Sequence, residues 1–211
     1  MNANEGNATR LGDIASLVVF EPGFTGQDRA DIQDMLLDAQ LFASHVYDFG
    51  QRWTSWMHYY RNRLRARGLR QKSVILDDSL VISSTEDLMQ ATFRITGTAH
   101  HEQLGELVRR SYDAMGVYQA AQAYFESGFD QGRLGSFQIV PCARSEPDQC
   151  TLLLCGLHLN VDEYSAGGRR LLFYFKGGSY TFDGHLYAPY RDDVKRYLKN
   201  KSNAFITNVN I

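Results

Sequence analysis

Two adjacent histidines followed by a glutamate are the residues best suited to metal chemistry: His100, His101 and Glu102. A zinc-binding helix of this kind needs a second histidine four residues after the first, so that both imidazoles lie on one face. The residues at those positions are Leu104 and Gly105, which offer no metal-binding side chain. We therefore expect a solvated histidine pair near a helix start, with neither a metal nor a cofactor.

Acid–base and phosphate-transfer chemistry also lack a convincing motif. Paired carboxylates could exchange protons with a substrate, but the pairs here fall in predicted turns or helix starts: Asp77-Asp78, Asp162-Glu163 and Asp192-Asp193. The glycine pairs Gly167-Gly168 and Gly177-Gly178 lack the spacing of phosphate-binding loops, and no Gly-x-Ser-x-Gly elbow occurs. The sequence favours a protein that is not an enzyme, with a small hydrolase carrying an unrecognised site as an alternative.

The three cysteines are an odd number, which argues against a disulfide framework. Cys142 and Cys150 stand symmetrically about Glu146, so a hairpin there would place them opposite each other and allow a disulfide. Two reduced thiols in a loop are the alternative. Cys155 alternates with Leu153 and Leu157, as a small buried apolar residue would.

An aromatic and basic stretch, Trp53–Lys72, is the best candidate for surface binding. Its aromatic side chains precede five arginines and a lysine, and they are Trp53, Trp56, Tyr59 and Tyr60. One interpretation is a helix whose aromatic face is core; a second is an interfacial helix on anionic lipid. Binding of RNA is a third, although a net charge of −2 does not favour a nucleic-acid partner.

The first two-thirds of the chain are predicted to be mainly helical. A short strand is predicted at Ile14–Phe20. Apolar residues then recur in steps of three and four from Ile32 to Leu64, which predicts a helix pair broken near Asp48-Phe49-Gly50. A second such stripe runs from Leu104 to Phe125. Both stripes predict amphipathic helices with one buried face.

The last third is predicted to be a sheet. Thr151–Val161 is apolar at alternate positions, and its second face is apolar at one end, so helices should cover both faces. Leu171–Tyr187 is predicted to be a hairpin that turns at Lys176–Ser179. A capping helix at Ala188–Asn200 and a final strand at Ala204–Val209 are expected to follow.

These elements predict one α+β domain over residues 14–211, with a three-layer α/β/α architecture. Helical layers would wrap around a central, mainly antiparallel sheet formed largely by the C-terminal third. The polar segment Met1–Asp13 lacks the pattern of a secretory signal, and we expect a disordered leader there. No run of about eighteen apolar residues is present.

Helices first and long, aromatic-rich strands afterwards, at Thr151–Val161 and Leu171–Tyr187, resemble the Cyt-type cytolysins. This is a family of small bacterial membrane-acting proteins that includes the Erwinia virulence factor branch. The resemblance implies a toxin-like, non-enzymatic protein that binds lipid, opens its helical layers and permeabilises the bilayer, with homo-oligomers on the membrane. A virulence or interaction protein that merely shares the fold is the alternative.

The resemblance also implies a set of lipid-contacting side chains. The candidates are Trp53, Trp56, Tyr59, Tyr60, Leu153, Leu157, Leu159, Phe173, Phe175 and Phe182. Proteins of the Erwinia branch can carry a fatty acyl group on cysteine, so acylation or a disulfide would involve Cys142, Cys150 or Cys155. The expected localisation is secretion or delivery without a cleaved signal peptide, and otherwise the cytoplasm.

Overall fold

The computed structural model describes residues 7–74, 79–97, 102–128, 135–146, 149–161, 168–199 and 201–211. Some sequence motifs therefore lie outside the described residues. They are residues 1–6 of the polar leader, the histidine pair His100-His101, and the carboxylate pairs Asp77-Asp78 and Asp162-Glu163.

An eight-stranded sheet forms the middle of the described structure. Its strands are β1 (Ala8–Leu11), β2 (Ser16–Phe20), β3 (Arg70–Gln71), β4 (Ser79–Ile82), β5 (Ser136–Glu146), β6 (Gln149–Val161), β7 (Leu171–Asp183) and β8 (Ile206–Val209). Their order is β3-β7-β6-β5-β2-β1-β8, and β4 also pairs with β7. Strands β2 and β5 run parallel, and the other paired strands are antiparallel. The predicted α+β class is confirmed.

The helices form a layer on each face of this sheet. They are α1 (Gly26–Ser44), α2 (Trp53–Ala66), α3 (Thr85–Gly97), α4 (Glu102–Ala114), α5 (Val117–Ser127), α6 (Gly184–Leu198) and α7 (Lys201–Phe205). One layer consists of α1, α2, α6 and α7, which pack over one hydrophobic core and against one another. We call it the α1 layer. Helices α3, α4 and α5 pack over the other core, and we call them the α3–α5 layer.

The central strands are apolar on both faces because both faces are covered. On β6, Leu152 and Leu154 pack in the core beneath the α1 layer. Leu153 and Leu157 alternate with them and pack in the core beneath the α3–α5 layer. The predicted coverage of Thr151–Val161 by helices on both sides is confirmed.

The hairpin predicted within Leu171–Tyr187 is wrong, because Leu171–Asp183 is a single strand. Gly177 and Gly178 stand in its middle, where the backbone comes unusually close to its neighbours. A Cβ atom at Gly177 would overlap the carbonyl oxygen of Leu154, and one at Gly178 would overlap that of Ser73. The absence of a side chain at these two glycines therefore allows neighbouring backbone segments to approach β7 closely.

The polar leader expected over residues 1–13 gives way to sheet by residue 8. Ala8–Leu11 is a strand between β2 and β8, and Ala8, Thr9 and Leu11 are buried. Its partner β8 lies near the other end of the chain, so no local sequence pattern predicts that the two strands pair. The second helical stripe also differs from expectation, because Gly116 adopts a left-handed conformation that separates α4 from α5.

Helix α1 is buried on most of its surface, so the predicted single apolar face is wrong for this helix. Three aspartates explain how it tolerates this burial. Asp31 forms two hydrogen bonds to Arg191 of α6, at 2.9 and 2.6 Å. Asp38 accepts hydrogen bonds from Arg63 of α2 and from Arg67 directly after it, at 2.8 to 3.1 Å.

The third aspartate, Asp34, accepts a hydrogen bond from Ser202 of α7 at 2.9 Å. Burial raises the pKa of its carboxyl group. The three carboxylates are spaced three and four residues apart, which aligns them along one helix face. They therefore join α2, α6 and α7 to α1.

We predict that Asp38→Asn destabilises the protein by about 3 kcal/mol, because it removes the carboxylate that neutralises two partly buried arginines. The side chain of Asp38 is fully buried. The control is Asp113→Asn, which removes an exposed partner of Arg109 at 3.6 Å and should change stability by less than about 0.5 kcal/mol. Urea unfolding measures both free energies. Equal effects of the two substitutions would contradict the structural role of Asp38.

We also predict that Gly177→Ala destabilises the protein by more than about 2 kcal/mol, because the new Cβ atom collides with the backbone of β6. The matched control is Gly184→Ala at the start of α6, where a Cβ atom meets nothing within 4 Å. That control should be neutral or stabilising by up to about 1 kcal/mol. Thermal unfolding compares the two variants, and tolerance of Gly177→Ala would contradict the close approach.

Candidate functional site

The predicted lipid-contacting residues do not form a single site, since the structure divides them between the two cores. One group belongs to the core beneath the α1 layer: Trp53, Trp56, Tyr60 and Phe182, with Tyr59 packed against it. The other belongs to the core beneath the α3–α5 layer: Leu153, Leu157, Leu159, Phe173 and Phe175. Apart from the half-buried Tyr59, none exceeds 6% exposure, so bilayer contact by these side chains would require a helical layer to move.

The aromatic residues of α2 pack closely within the α1 layer. The rings of Trp56 and Tyr60 stack at 4.9 Å between centroids, and Phe49 meets Trp56 edge-on at 4.7 Å. The Trp56 indole donates a hydrogen bond to Ser44 Oγ at 2.9 Å. These contacts place the aromatic part of Trp53–Lys72 in the core.

Several arginines of the stretch Trp53–Lys72 are bound to other side chains, so fewer of them are available for a surface ligand than the sequence suggested. Arg63 and Arg67 bind Asp38, and Arg61 donates to the hydroxyl of Tyr180 at 3.0 Å. Arg65 is exposed. Three of the six basic residues of Trp53–Lys72 therefore make fixed contacts within the α1 layer or with the sheet, while Arg70 and Lys72 are exposed like Arg65.

All three cysteines are reduced and buried. In the register of β5 and β6, Cys142 lies opposite Leu152 and Cys150 lies opposite Arg144, so the two thiols do not face each other. Burial raises the pKa of Cys150 to about 11 and also raises the pKa values of Cys142 and Cys155. Because the thiolate is the reactive form, these side chains are poor nucleophiles in this conformation.

A polar cavity of about 460 Å³ opens at the first turn of α2. The sequence did not predict this cavity. Its lining combines α2 with residues of β6 and β7, among them Arg52, Trp53, Thr54, His158, Tyr174 and Lys176. The ammonium group of Lys176 lies 5.8 Å from the centroid of the Trp53 ring. None of the described residues lining the cavity carries a carboxylate. The arrangement suits an anion or a polar ligand.

His158 of this cavity also pairs with Ser136, which resembles the nucleophile and base of a hydrolase. Ser136 Oγ and His158 Nδ1 are 2.7 Å apart, and His158 stacks on Trp53 at 5.6 Å between ring centroids. Burial lowers the pKa of His158. The two residues stand directly opposite each other on β5 and β6, so sheet register accounts for their contact. None of the described residues lining the cavity supplies a carboxylate that could orient the imidazole.

A larger cavity of about 830 Å³ lies between the end of α4 and the β1–β2 connection. It is bordered by Arg10 and Asp13 on one side and by Arg110, Asp113 and Ala114 on the other. The guanidinium of Arg110 contacts the carbonyl oxygen of Ile211. This cavity marks a gap between the α3–α5 layer and the sheet.

Two further observations concern the described residues. None of their helices combines the length and apolar character needed to cross a membrane. They also contain no cluster of three or more histidine, cysteine, aspartate or glutamate side chains that could hold a metal ion.

Comparison with known proteins gives one structural similarity of interest. No protein-family model matches this chain, and no curated protein matches it. A solved structure described as a delta-endotoxin is similar over 82% of this chain and 82% of its own, with a TM-score of 0.46 and 12% sequence identity. At this level of similarity, neither a family nor an activity is transferred to this chain.

Proposed function

We propose that this protein binds lipid bilayers and permeabilises them by releasing the α3–α5 layer from the sheet. The observation that carries the proposal is the unequal attachment of the two helical layers. The α1 layer is joined to the sheet and to itself by partly buried polar contacts. The α3–α5 layer packs on an extended apolar surface whose release would expose long strands.

Polar contacts bind the α1 layer to several strands. Asp28 of α1 forms an ion pair with Arg144 of β5 at 2.8 Å. Gln33 donates to Thr9 Oγ1 at 2.7 Å. These bonds join α1 to the sheet, and the aspartate contacts of α1 hold the helices of the layer to one another.

The α3–α5 layer meets the sheet through an apolar core. Leu104, Leu107, Val108 and Tyr112 form the buried face of α4, whereas Glu106 and Arg109 are exposed. This is the pattern of a helix that can lie in a lipid interface with its apolar face buried. Helix α4 could therefore exchange the sheet for the bilayer without exposing its apolar face to water.

The strands that this layer covers have suitable length and composition. Strands β6 and β7 each contain 13 residues, and β5 contains 11. A strand that spans a bilayer needs about 9 to 11 residues. The uncovered face would present Leu153, Leu157, Leu159, Phe173 and Phe175. The proposal assigns lipid contact to this group and leaves the aromatic residues of α2 in the retained core.

We predict that a covalent link across the 830 Å³ cavity blocks membrane permeabilisation. Asp13→Cys and Ala114→Cys place two exposed thiols on opposite sides of the cavity, while the native thiols are buried. A bismaleimide containing a reducible disulfide would join the α3–α5 layer to the sheet. Leakage of a self-quenching dye from phosphatidylcholine–phosphatidylglycerol vesicles should fall to the rate without protein and return on reduction.

The matched control links two positions within the α3–α5 layer. Ala114→Cys and Gln119→Cys are both exposed and lie on either side of Gly116. This link should leave leakage unchanged, because α4 and α5 can still leave the sheet together. Full leakage from the first cross-linked variant would contradict layer release. If the unmodified protein causes no leakage from neutral or anionic vesicles, permeabilisation itself is wrong and a non-enzymatic interaction protein becomes the better hypothesis.

A further inference from the structure

Two cavities meet around the first turn of α2. One is the 460 Å³ cavity already described, and its neighbour measures about 420 Å³. They share Thr54, Ser55 and Lys176. We call these two adjacent cavities together the α2 cradle.

The α2 cradle is basic and rich in hydrogen-bond donors. The cationic side chains Arg52, Arg61 and Lys176 border it, as do the imidazoles of His58 and His158. None of the described residues lining either cavity carries a carboxylate. A concave surface of one charge sign attracts ligands of the opposite sign, so the α2 cradle favours an anion.

The start of α2 adds backbone donors to these side chains. Helices α1 and α6 have side-chain caps, from Thr25 and Asp183 respectively. The N-cap residue of α2, Arg52, makes no side-chain cap hydrogen bond. The first N–H groups of a helix have no partner within the helix and lie at the positive end of its dipole. They suit an anion bound beside Thr54 and Ser55.

Trp53 provides an observation that does not depend on the helix terminus. The residue is only 6% exposed and forms part of the wall of the α2 cradle. Its indole Nε1–H is buried and has no acceptor among the described residues. Buried donors in folded proteins are nearly always satisfied, and a shift of the Trp53 ring toward the cavity would let a ligand oxygen accept a hydrogen bond from this N–H.

We propose that the α2 cradle binds a phosphate group, carried either by a lipid headgroup or by a soluble phosphate compound. Lysine, arginine, hydroxyl groups and free backbone N–H groups are the donors that phosphate oxygens accept. The site goes beyond membrane permeabilisation, because it exists in the closed conformation and requires no movement of the α3–α5 layer. It also gives Arg52 and Lys176 a role that the layer-release proposal does not use.

Tryptophan fluorescence provides a direct test. The chain has two tryptophans, so Trp56→Phe leaves Trp53 as the single reporter in the wall of the site. Titration with inorganic phosphate and with inositol hexakisphosphate, at ionic strength held constant with chloride, should give a saturable change in fluorescence. Lys176→Gln should weaken binding about tenfold, because a charge-assisted hydrogen bond is lost. Arg65→Gln, at the opposite end of α2, should leave affinity unchanged.

A second variant and a vesicle measurement complete the test. Arg52 is exposed, so Arg52→Gln should fold normally and weaken binding even if Lys176→Gln disturbs β7. Phosphatidylcholine vesicles with and without phosphatidylinositol phosphate distinguish the two sources of phosphate. Lipid-dependent binding that inositol hexakisphosphate displaces supports a headgroup, whereas soluble binding without vesicle binding supports a soluble compound.

Two results would overturn the phosphate site. One is the absence of any saturable, phosphate-dependent change with both soluble ligands. The other is equal affinity in the Lys176→Gln, Arg52→Gln and Arg65→Gln variants. Neither result bears on dye leakage, which is measured separately, so the phosphate site and the layer-release mechanism can fail independently.

Discussion

The constraint on which the whole structure depends is that its central strands are apolar on both faces. Strand β6 directs Leu152 and Leu154 to one side and Leu153 and Leu157 to the other. Exposing either face to water would lose the free energy of burying these side chains, about 25 cal/mol per Å² of apolar surface. Helices must therefore cover both faces, and the three-layer architecture follows from the composition of a few strands.

The two covering layers satisfy this constraint by different means. Helix α1 is surrounded by other elements, and its buried Asp31 and Asp38 are neutralised by arginines of α6 and α2. Breaking such a pair leaves an uncompensated buried charge, so these pairs hold α1, α2 and α6 together as one layer. Helix α4 is a one-sided amphipathic helix over an apolar surface. A lipid bilayer could replace that surface. The membrane hypothesis therefore assigns the movement to the α3–α5 layer.

The phosphate hypothesis arises at a different place, where the sheet and α2 meet. Lys176 comes from the middle of β7, next to the glycines that allow close backbone packing. Trp53, at the start of α2, places its ring beside the Lys176 ammonium group. Basic and aromatic residues that are distant in sequence thereby form a polar depression at the edge of an otherwise apolar core. Such a depression could position the closed protein on a phosphate-bearing surface before any layer moves.

Local patterns in the sequence determined the helical first part, the break between α1 and α2, and the doubly covered strand Thr151–Val161. The period at which apolar residues recur shows which face of a helix or strand is buried, and this period can be read from neighbouring residues of one element. Only the tertiary structure decided that Gly177 stands inside a strand, because its meaning depends on the backbone of β6. The same holds for the pairing of Asp31 with Arg191, which are 160 positions apart. It also holds for the α2 cradle, whose donors come from separate elements. Contacts between distant residues leave no periodic signal in the chain, so the fold class was predictable while the site was not.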